Sequence, residues 1–378
     1  MRIVLRALLL SVLLAPATAL GAAVAPTPKG ASWLLADAQT GEVLAQRAAD
    51  QPRPMASLTK MMTALVALES GDPDRVVAVA PAATAVGESS AGLRPGERLS
   101  VRDLVRALMI GSGNDAATAL AYAVAGSEAE FVARMNDTAR SLGMTRTRFA
   151  NPHGLDEPGQ QSSPADLLVL GRQVMDQPFL RRLVANRSVT IPGPGGQGTR
   201  RLESENDLLA IMPDADGIKT GQTDDAGYTL VAHATSARLG RELYAVLMGE
   251  PDRATRARDA KALLEWGFSQ FARPVIVPRG RPVADVPVQG VPGATVALAP
   301  ASPVAATIRV GRPVTMRVSA PAMAQAPMVP GQRVGTLEVR QGDDVVARSA
   351  LVARSSVGAP GFTDSLRTAL SGIGSVFT

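Results

Sequence analysis

Upstream of residue 272, apolar residues recur at spacings that predict both strands and helices. Two apolar runs, Ser32 to Asp37 and Gly41 to Ala45, are joined by a short turn and predict a β-hairpin. Further along, apolar positions three and four residues apart begin near capping residues and stop near glycine or proline. They predict helices over residues 57–69, 100–109, 115–124, 127–142, 164–175 and 253–271, with Asp115 as the cap of the third.

Short strands are predicted between and after these helices. Residues 76–99 have the pattern of strands and turns, and the Gly- and Pro-rich residues 191–198 predict a loop between two strands. Residues 216–223 predict an edge strand that turns into a neighbour at 228–234, and residues 243–248 predict a further strand. The mixture predicts a β-sheet with helices packed against it.

The two ends of the chain differ from this middle part. Met1 to Ala19 combines a basic start, an apolar core and a small-residue site, as in a secretory signal, so we expect export; an uncleaved membrane anchor is the alternative. The tail from Gly361 to Thr378 spaces apolar residues like an amphipathic helix, with a frayed end as the alternative. After Arg273, short runs rich in Pro, Val and Gly predict a small β-sandwich, at residues 275–277, 307–310, 314–318 and 335–339.

The composition limits the chemistry that the chain can perform. Its 378 residues are 46% hydrophobic and 19% charged, enough for a globular protein of two or more domains. The absence of cysteine excludes thiolate catalysis and disulfides, and two histidines leave little for a zinc site or a histidine-based triad, so we expect no metal and no cofactor. The net charge of +5 comes from dispersed arginines and only 3% of residues are aromatic, which argues against a nucleic acid partner.

A serine and a lysine stand three residues apart at the start of the first predicted helix. Residues i and i+3 of a helix share a face, so Lys60 can reach the Ser57 hydroxyl and remove its proton. Only four of the 39 basic residues are lysines, and a buried lysine can lose its proton near neutrality whereas arginine cannot. The pair predicts a serine nucleophile with its own base, although a single S-x-x-K also arises by chance.

Two later segments carry polar groups suited to the same reaction. Residues 112–114, Ser-Gly-Asn, lie between two predicted helices, where a hydroxyl and an amide can relay a proton and bind a peptide amide; an ordinary helix junction has the same composition. Residues 219–222, Lys-Thr-Gly-Gln, follow on the predicted edge strand, where the first two side chains can bind a carboxylate and Gly221 lets a substrate backbone approach. His153, in a tight turn over 151–156, is expected to be structural.

In this order, S-L-T-K, S-G-N and K-T-G are the signature motifs of the penicillin-binding protein and serine β-lactamase superfamily. Within it, D-G-I-K-T-G followed by T-D-x-A-G-Y, the N-P-H-G-L-D turn and L-L-x-W-G-F resemble the low-molecular-mass D-alanyl-D-alanine carboxypeptidases. The resemblance covers residues 30 to 272. It implies an α/β (α+β) fold, with a β-lactamase/transpeptidase-like five-stranded antiparallel sheet, helices and a helical lobe, followed by the C-terminal β-sandwich.

The resemblance also implies how the chain is divided and which residues form the site. The expected regions are a signal peptide (1–23), a catalytic domain (25–272), a β-rich domain (273–357) and a membrane-associating tail (358–378). Backbone N–H groups of residues 57 and 222 would form the oxyanion hole, and Arg253 or Arg256 would assist at the substrate carboxylate. The implied catalytic residues are Ser57, Lys60, Ser112, Asn114 and Lys219, and the implied substrate-binding residues are Lys219, Thr220, Gly221 and Gln222.

The implied function is removal of the terminal D-alanine from peptidoglycan stem pentapeptides through a Ser57 acyl-enzyme, on the periplasmic side of the bacterial inner membrane. The expected partners are the stem peptide, β-lactam inhibitors and, through the tail, the membrane surface. A D-alanyl-D-alanine endopeptidase and a non-catalytic penicillin-binding sensor are the alternatives. A β-lactamase is disfavoured, because no E-x-x-L-N segment lies between the second and third motifs.

Overall fold

The computed structural model of the chain describes residues 12–14, 24–87 and 89–361, which divide into two compact units. One unit holds residues 24–269, and the other holds residues 270–361 with the strand Val12–Leu14. The rest of the predicted signal peptide and the predicted tail helix beyond Gly361 lie outside the described residues.

A five-stranded antiparallel sheet forms the centre of residues 24–269, as the family resemblance implies. Among the described residues this unit has nine strands, five of them in the large sheet. They are β1 (Ser32–Asp37), β2 (Val43–Arg47), β3 (Val76–Ala78), β4 (Arg98–Ser100), β5 (Ser188–Pro192), β6 (Thr199–Glu203), β7 (Ala215–Thr223), β8 (Gly227–Ser236) and β9 (Arg241–Glu250). The large sheet has the order β2-β1-β9-β8-β7, while β3 pairs with β4 and β5 with β6. Strand β7, which carries the K-T-G motif, therefore lies at an edge of the large sheet and pairs on one side with β8.

Helices cover this sheet and build a separate lobe. They are α1 (Lys60–Glu69), α2 (Val101–Met109), α3 (Asn114–Ala125), α4 (Glu128–Ser141), α5 (Pro164–Asp176), α6 (Pro178–Val184), α7 (Leu208–Ile211) and α8 (Arg253–Ser269), with 3₁₀ turns at Ala56–Thr59, Pro81–Ala85 and Pro194–Gly196. Helices α5 and α8 pack against β9. Strands β8 and β9 are consequently buried along most of their length, as apolar strands in the middle of a covered sheet should be.

Serine hydroxyls define the start of three helices. Ser100, Ser127 and Ser163 each accept a hydrogen bond from the backbone N–H three residues further on, which satisfies one free donor of the first turn. The predicted cap at Asp115 is wrong. Helix α3 begins one residue earlier, after Gly113, and the Asp115 carboxylate instead accepts hydrogen bonds from backbone N–H groups of residues 91 and 93, so it fixes a neighbouring loop.

Helix α1 lies in the core of its unit. All residues from Lys60 to Ala67 are buried, and its methionine and leucine side chains belong to one cluster with apolar residues of α2, α3 and α5. The sequence pattern places Ser57 on a helix that starts there; in the structure a 3₁₀ turn over Ala56–Thr59 precedes α1. The nucleophile candidate is thus attached to a rigid core helix through one tight turn.

The second unit is rich in strands, as predicted. Its large sheet has seven strands, antiparallel apart from one parallel pair, and its fully buried side chains include Val296, Leu298, Leu337 and Leu351. Besides Val12–Leu14, the strands are Phe271–Ala272, Val275–Val277, Ala284–Gln289, Thr295–Pro300, Val304–Ala305, Ile308–Arg309, Val314–Ser319, Ala324–Gln325, Arg333–Gln341 and Asp344–Ala353. Across both units, no helix among the described residues is long and apolar enough to cross a membrane.

Candidate active site

The serine and lysine of the first motif are in direct contact. Lys60 Nζ donates a hydrogen bond of 2.6 Å to Ser57 Oγ. Lys60 is fully buried at the start of α1, while Ser57 is partly exposed on the preceding 3₁₀ turn. The hydroxyl can therefore meet a substrate from solvent while its neighbouring amine stays in the protein interior.

The surroundings of Lys60 favour its neutral form. Burial lowers the pKa of this lysine well below its ordinary value, and the nearby positive charge of Lys219 lowers it further. The carboxylates of Glu205 and Asp115 act in the opposite direction but are weaker. A lysine in this setting can hold a free electron pair at neutral pH, which a general base requires.

The second serine–lysine pair joins the S-G-N and K-T-G motifs. Lys219 Nζ donates to Ser112 Oγ at 3.0 Å and to the Thr220 carbonyl oxygen at 2.9 Å. Burial lowers the pKa of Lys219 to about 8, with Glu205 raising it and Arg256 lowering it. Ser112 has φ of +53°, a conformation that costs a non-glycine residue energy and is often retained at functional sites.

Asn114 is the first residue of α3 and is tied to the neighbouring loop. Its Nδ2 donates to the Gly87 carbonyl oxygen at 2.9 Å, and its backbone N–H donates to the Ser89 carbonyl oxygen at 2.7 Å. Together with the Asp115 carboxylate, these bonds attach the loop at residues 87–93 to the start of α3. Ser112 and Gly113 thus lie between α2 and α3, while Asn114 begins α3 and helps to position this loop.

Gly221 has a packing role in addition to the predicted one, approach of a substrate backbone, which stays a prediction. Because it lies opposite Thr229 in the β7–β8 pair, a Cβ added to Gly221 would lie 2.7 Å from Thr229 Oγ1 and 2.8 Å from the Ser57 backbone nitrogen. The missing side chain lets β7 pack against the nucleophile's own backbone. On the same strand Thr220 is buried and Gln222 is exposed.

The turn at residues 151–156 supports the nucleophile from the other side. A Cβ added to Gly154, whose φ is +97°, would lie 2.2 Å from the Ala56 carbonyl oxygen. Thr63 Oγ1 donates to the Pro152 carbonyl oxygen at 2.6 Å, which fixes the turn to α1. His153 is buried, and burial together with the charge of Lys60 lowers its pKa to about 4, so it is neutral near pH 7.

Of the two candidate arginines, Arg256 is the one whose charge acts on Lys219. Arg253 is half-exposed and forms an ion pair with Asp207. Arg256 is buried, its charge acts on Lys219, and burial lowers its own pKa to about 10. Its Nη2 donates to the Glu205 carbonyl oxygen at 3.1 Å. Glu205, whose charge raises the pKa of both lysines, has no motif or periodicity that reveals it in the sequence.

Comparison with known proteins identifies the family of the chain that carries these serine–lysine pairs. A family model described as D-alanyl-D-alanine carboxypeptidase matches residues 20–252. The chain belongs to this family. The D-alanyl-D-alanine carboxypeptidase DacD of Salmonella typhimurium is 35% identical to it over 95% of each chain. DacD of Escherichia coli is 39% identical over 68% of each chain.

Solved structures of this carboxypeptidase family and its relatives have the same fold. Penicillin binding protein 5 from Haemophilus influenzae is 31% identical with a TM-score of 0.64, and the match covers 89% of this chain and 99% of that one. The Streptomyces K15 DD-transpeptidase is 29% identical with a TM-score of 0.62, over 65% of this chain and 99% of that one. The expected fold class is therefore confirmed.

Proposed function

We propose that this member of the D-alanyl-D-alanine carboxypeptidase family removes the terminal D-alanine from peptidoglycan stem pentapeptides through an acyl-enzyme on Ser57. The observation that carries the proposal is the 2.6 Å contact between Lys60 Nζ and Ser57 Oγ, with the amine buried and the hydroxyl partly exposed. A serine is a weak nucleophile unless a neighbouring group takes its proton.

Acylation of Ser57 consists of attack on the peptide carbonyl and then cleavage of the carbon–nitrogen bond. Neutral Lys60 takes the Ser57 proton while Oγ bonds to the carbonyl carbon between the two D-alanines. The carbonyl becomes an oxyanion, which backbone N–H groups of residues 57 and 222 stabilise. As the carbon–nitrogen bond breaks, Ser112 and Lys219 deliver a proton to the leaving nitrogen, consistent with their 3.0 Å hydrogen bond. The proton that Lys60 took from Ser57 replaces the delivered one, so Lys219 is charged and Lys60 is neutral again. The products of this step are free D-alanine and an ester on Ser57.

Substrate binding uses the cations of the cleft. Charged Lys219, the Thr220 hydroxyl and Arg256 bind the terminal carboxylate, since two buried cations in an apolar setting attract an anion strongly. Asn114 and Gln222 lie where the peptide backbone passes along β7. Water hydrolyses the ester in the second half of the reaction, with Lys60 again as the base. β-Lactams, which carry a comparable amide and carboxylate, acylate the same serine.

We further propose that the chain acts after export, on the periplasmic side of the inner membrane, with its tail in contact with the membrane. The apolar stripe of residues 361–378 supports this part. Deleting residues 361–378 should release the signal-processed protein from membranes and leave its activity on soluble pentapeptide intact. Continued sedimentation of the truncated protein with membranes would place the anchor elsewhere.

Two substrates distinguish carboxypeptidase from endopeptidase and from an inert binding protein. The purified protein is incubated with a stem pentapeptide and, separately, with a cross-linked peptide dimer, and the products are weighed by mass spectrometry. We expect conversion of pentapeptide to tetrapeptide with release of D-alanine. Cleavage of the dimer alone would assign an endopeptidase, and no cleavage of either would refute the proposed reaction.

A further inference from the structure

Three basic side chains are buried in the part of the unit that carries the motifs. Lys60, Lys219 and Arg256 are each almost fully buried. In the described part of the chain, the hydrogen bonds that they donate go to hydroxyl and carbonyl oxygens, and none goes to a carboxylate. Lys219 and Arg256, which are charged in the proposed reaction, therefore have no carboxylate partner among the described residues, and such buried cations are costly in the protein interior and attract anions.

A short loop brings one carboxylate to this group. Residues 204–207 connect β6 to α7, and Arg256 fixes the loop to the sheet because its Nη2 donates to the Glu205 carbonyl oxygen at 3.1 Å and its Nη1 to the Thr229 carbonyl oxygen at 3.5 Å. Thr229 Oγ1 in turn donates to the carbonyl oxygen of Met55, two residues before the nucleophile. The backbone of Glu205 is thus connected, through three hydrogen bonds, to the segment that carries Ser57.

The Glu205 side chain is exposed and has no hydrogen bond or ion pair among the described residues. Its acidic neighbours differ, since Glu203 pairs with Arg201 and Asp207 pairs with Arg253. The charge of Glu205 nevertheless acts on Lys60, Lys219 and Arg256, whose pKa values it raises. Glu205 is thus joined to Arg256 through its backbone, while its exposed carboxylate remains open to a ligand.

A second group in the same loop also has no partner in the described structure. Asn206 is 7% exposed, and its buried Nδ2 finds no hydrogen-bond acceptor among the described residues. Buried amide donors are nearly always paired in native proteins. The loop therefore holds an exposed acceptor at Glu205 and, directly after it, a buried donor at Asn206 that has no partner among the described residues.

The reaction proposed above releases a molecule with matching charges. Cleavage of the carbon–nitrogen bond turns the amide nitrogen of the last residue into a primary amine, which takes up a proton from water to become an ammonium group on the carbon that bears the carboxylate. We propose that Glu205 binds this ammonium group, so that the leaving-group side of the cleft recognises a zwitterionic amino acid. The inference rests on the proposed function, since the carboxylate is held by Lys219 and Arg256.

D-Alanine and D-lactate provide the test, because they share a carboxylate and a methyl group and differ in that only D-alanine has an ammonium group. Each is added at increasing concentration while a fluorescent penicillin acylates the enzyme, and the concentration that halves the acylation rate is measured. In the parent enzyme at pH 7, we expect D-alanine to act at a concentration at least about threefold lower than D-lactate. In Glu205→Gln, the two concentrations should become equal.

The ratio of the two half-inhibiting concentrations, D-lactate over D-alanine, is taken within each variant, so a change in the basal acylation rate cancels. Glu203→Gln is the matched control: it removes an exposed carboxylate two residues away and should keep the parent ratio. Glu205→Asp should keep part of it. A ratio near one in the parent, or an undiminished ratio in Glu205→Gln, would overturn the inference. Absence of any penicillin labelling of the parent would instead refute the proposed function, so the two failures are distinguishable.

Discussion

Gly154 lies against the backbone immediately before the nucleophile. The approach is so close that a Cβ added to Gly154 would lie 2.2 Å from the Ala56 carbonyl oxygen. Ala56 itself has φ of +51°, an uncommon conformation for a residue with a side chain. The turn at residues 151–156 therefore helps to hold the 3₁₀ turn that presents Ser57. A buried turn far away in the sequence determines where the nucleophile stands.

Gly154→Ala should lower the rate of penicillin acylation by at least about tenfold, because the new methyl group displaces Ala56 and moves Ser57 away from Lys60. Gly143→Ala is the matched control, since its φ of +75° is similar but nothing lies within 4 Å of the added Cβ. Both variants should lose some stability from backbone strain, and only the first should lose acylation. Equal acylation rates in the two variants would show that the contact between Gly154 and Ala56 does not position the nucleophile.

The two motif lysines should respond differently to replacement by arginine. Lys60→Arg places a guanidinium that stays protonated where the parent has a neutral amine, so it offers no proton-accepting group and single-turnover acylation by penicillin should fall by at least about a hundredfold. Lys219→Arg should lose less, because binding a carboxylate needs a charge that a guanidinium also provides. Acylation by Lys60→Arg at nearly the parent rate would mean that another group takes the Ser57 proton.

The dependence of acylation on pH should have two limbs of opposite sign. Lys60 must be neutral, and burial lowers its pKa, so the rate should rise as the pH rises through that lowered value. Lys219 must be charged to hold the substrate carboxylate, and its pKa is about 8, so the rate should fall as the pH rises through about 8. Lys219→Arg should abolish the alkaline limb, because arginine stays charged. An alkaline limb that persists in this variant would assign it to another group.

Burial of Lys60 should cost stability. Its pKa is lower in the folded state than in the unfolded chain, so the folded state binds fewer protons between the two values, and stability should rise with pH up to the unfolded pKa. Lys60→Met should therefore raise the free energy of unfolding at pH 7 by about 1–3 kcal/mol, measured by denaturant unfolding, while it loses acylation. The gain should shrink towards pH 10. Lys261→Met, at a partly exposed lysine paired with Glu265, should show no such gain.

The sequence predicts the parts of the site that local spacing determines. Residues three apart on a helix must share a face, so the contact between Ser57 and Lys60 follows from S-x-x-K, and hydrophobic periodicity predicts most of the helices and the strands of the sheet. Contacts between distant segments have no such signal. The packing of Gly154 on Ala56 and of Gly221 on the Ser57 backbone appears only after folding.

Electrostatics is also hidden from the sequence. Glu205 looks like an ordinary loop glutamate, and Arg253 and Arg256 look equivalent, because burial and the identity of neighbours depend on how α8 and the 204–207 loop pack together. The choice of Asp115 as the cap of α3 failed for a related reason. A carboxylate near a helix start can bind N–H groups of another segment, and here the loop at residues 91–93 competes successfully.

The central claim is that Ser57 is the residue that becomes acylated. Intact parent protein and Ser57→Ala are incubated with a penicillin, digested, and the adduct is located by mass spectrometry. We expect a single adduct on the peptide that contains Ser57 and none on Ser57→Ala, with both proteins showing the same unfolding midpoint. An adduct on any other residue, or undiminished labelling of Ser57→Ala, would contradict the account.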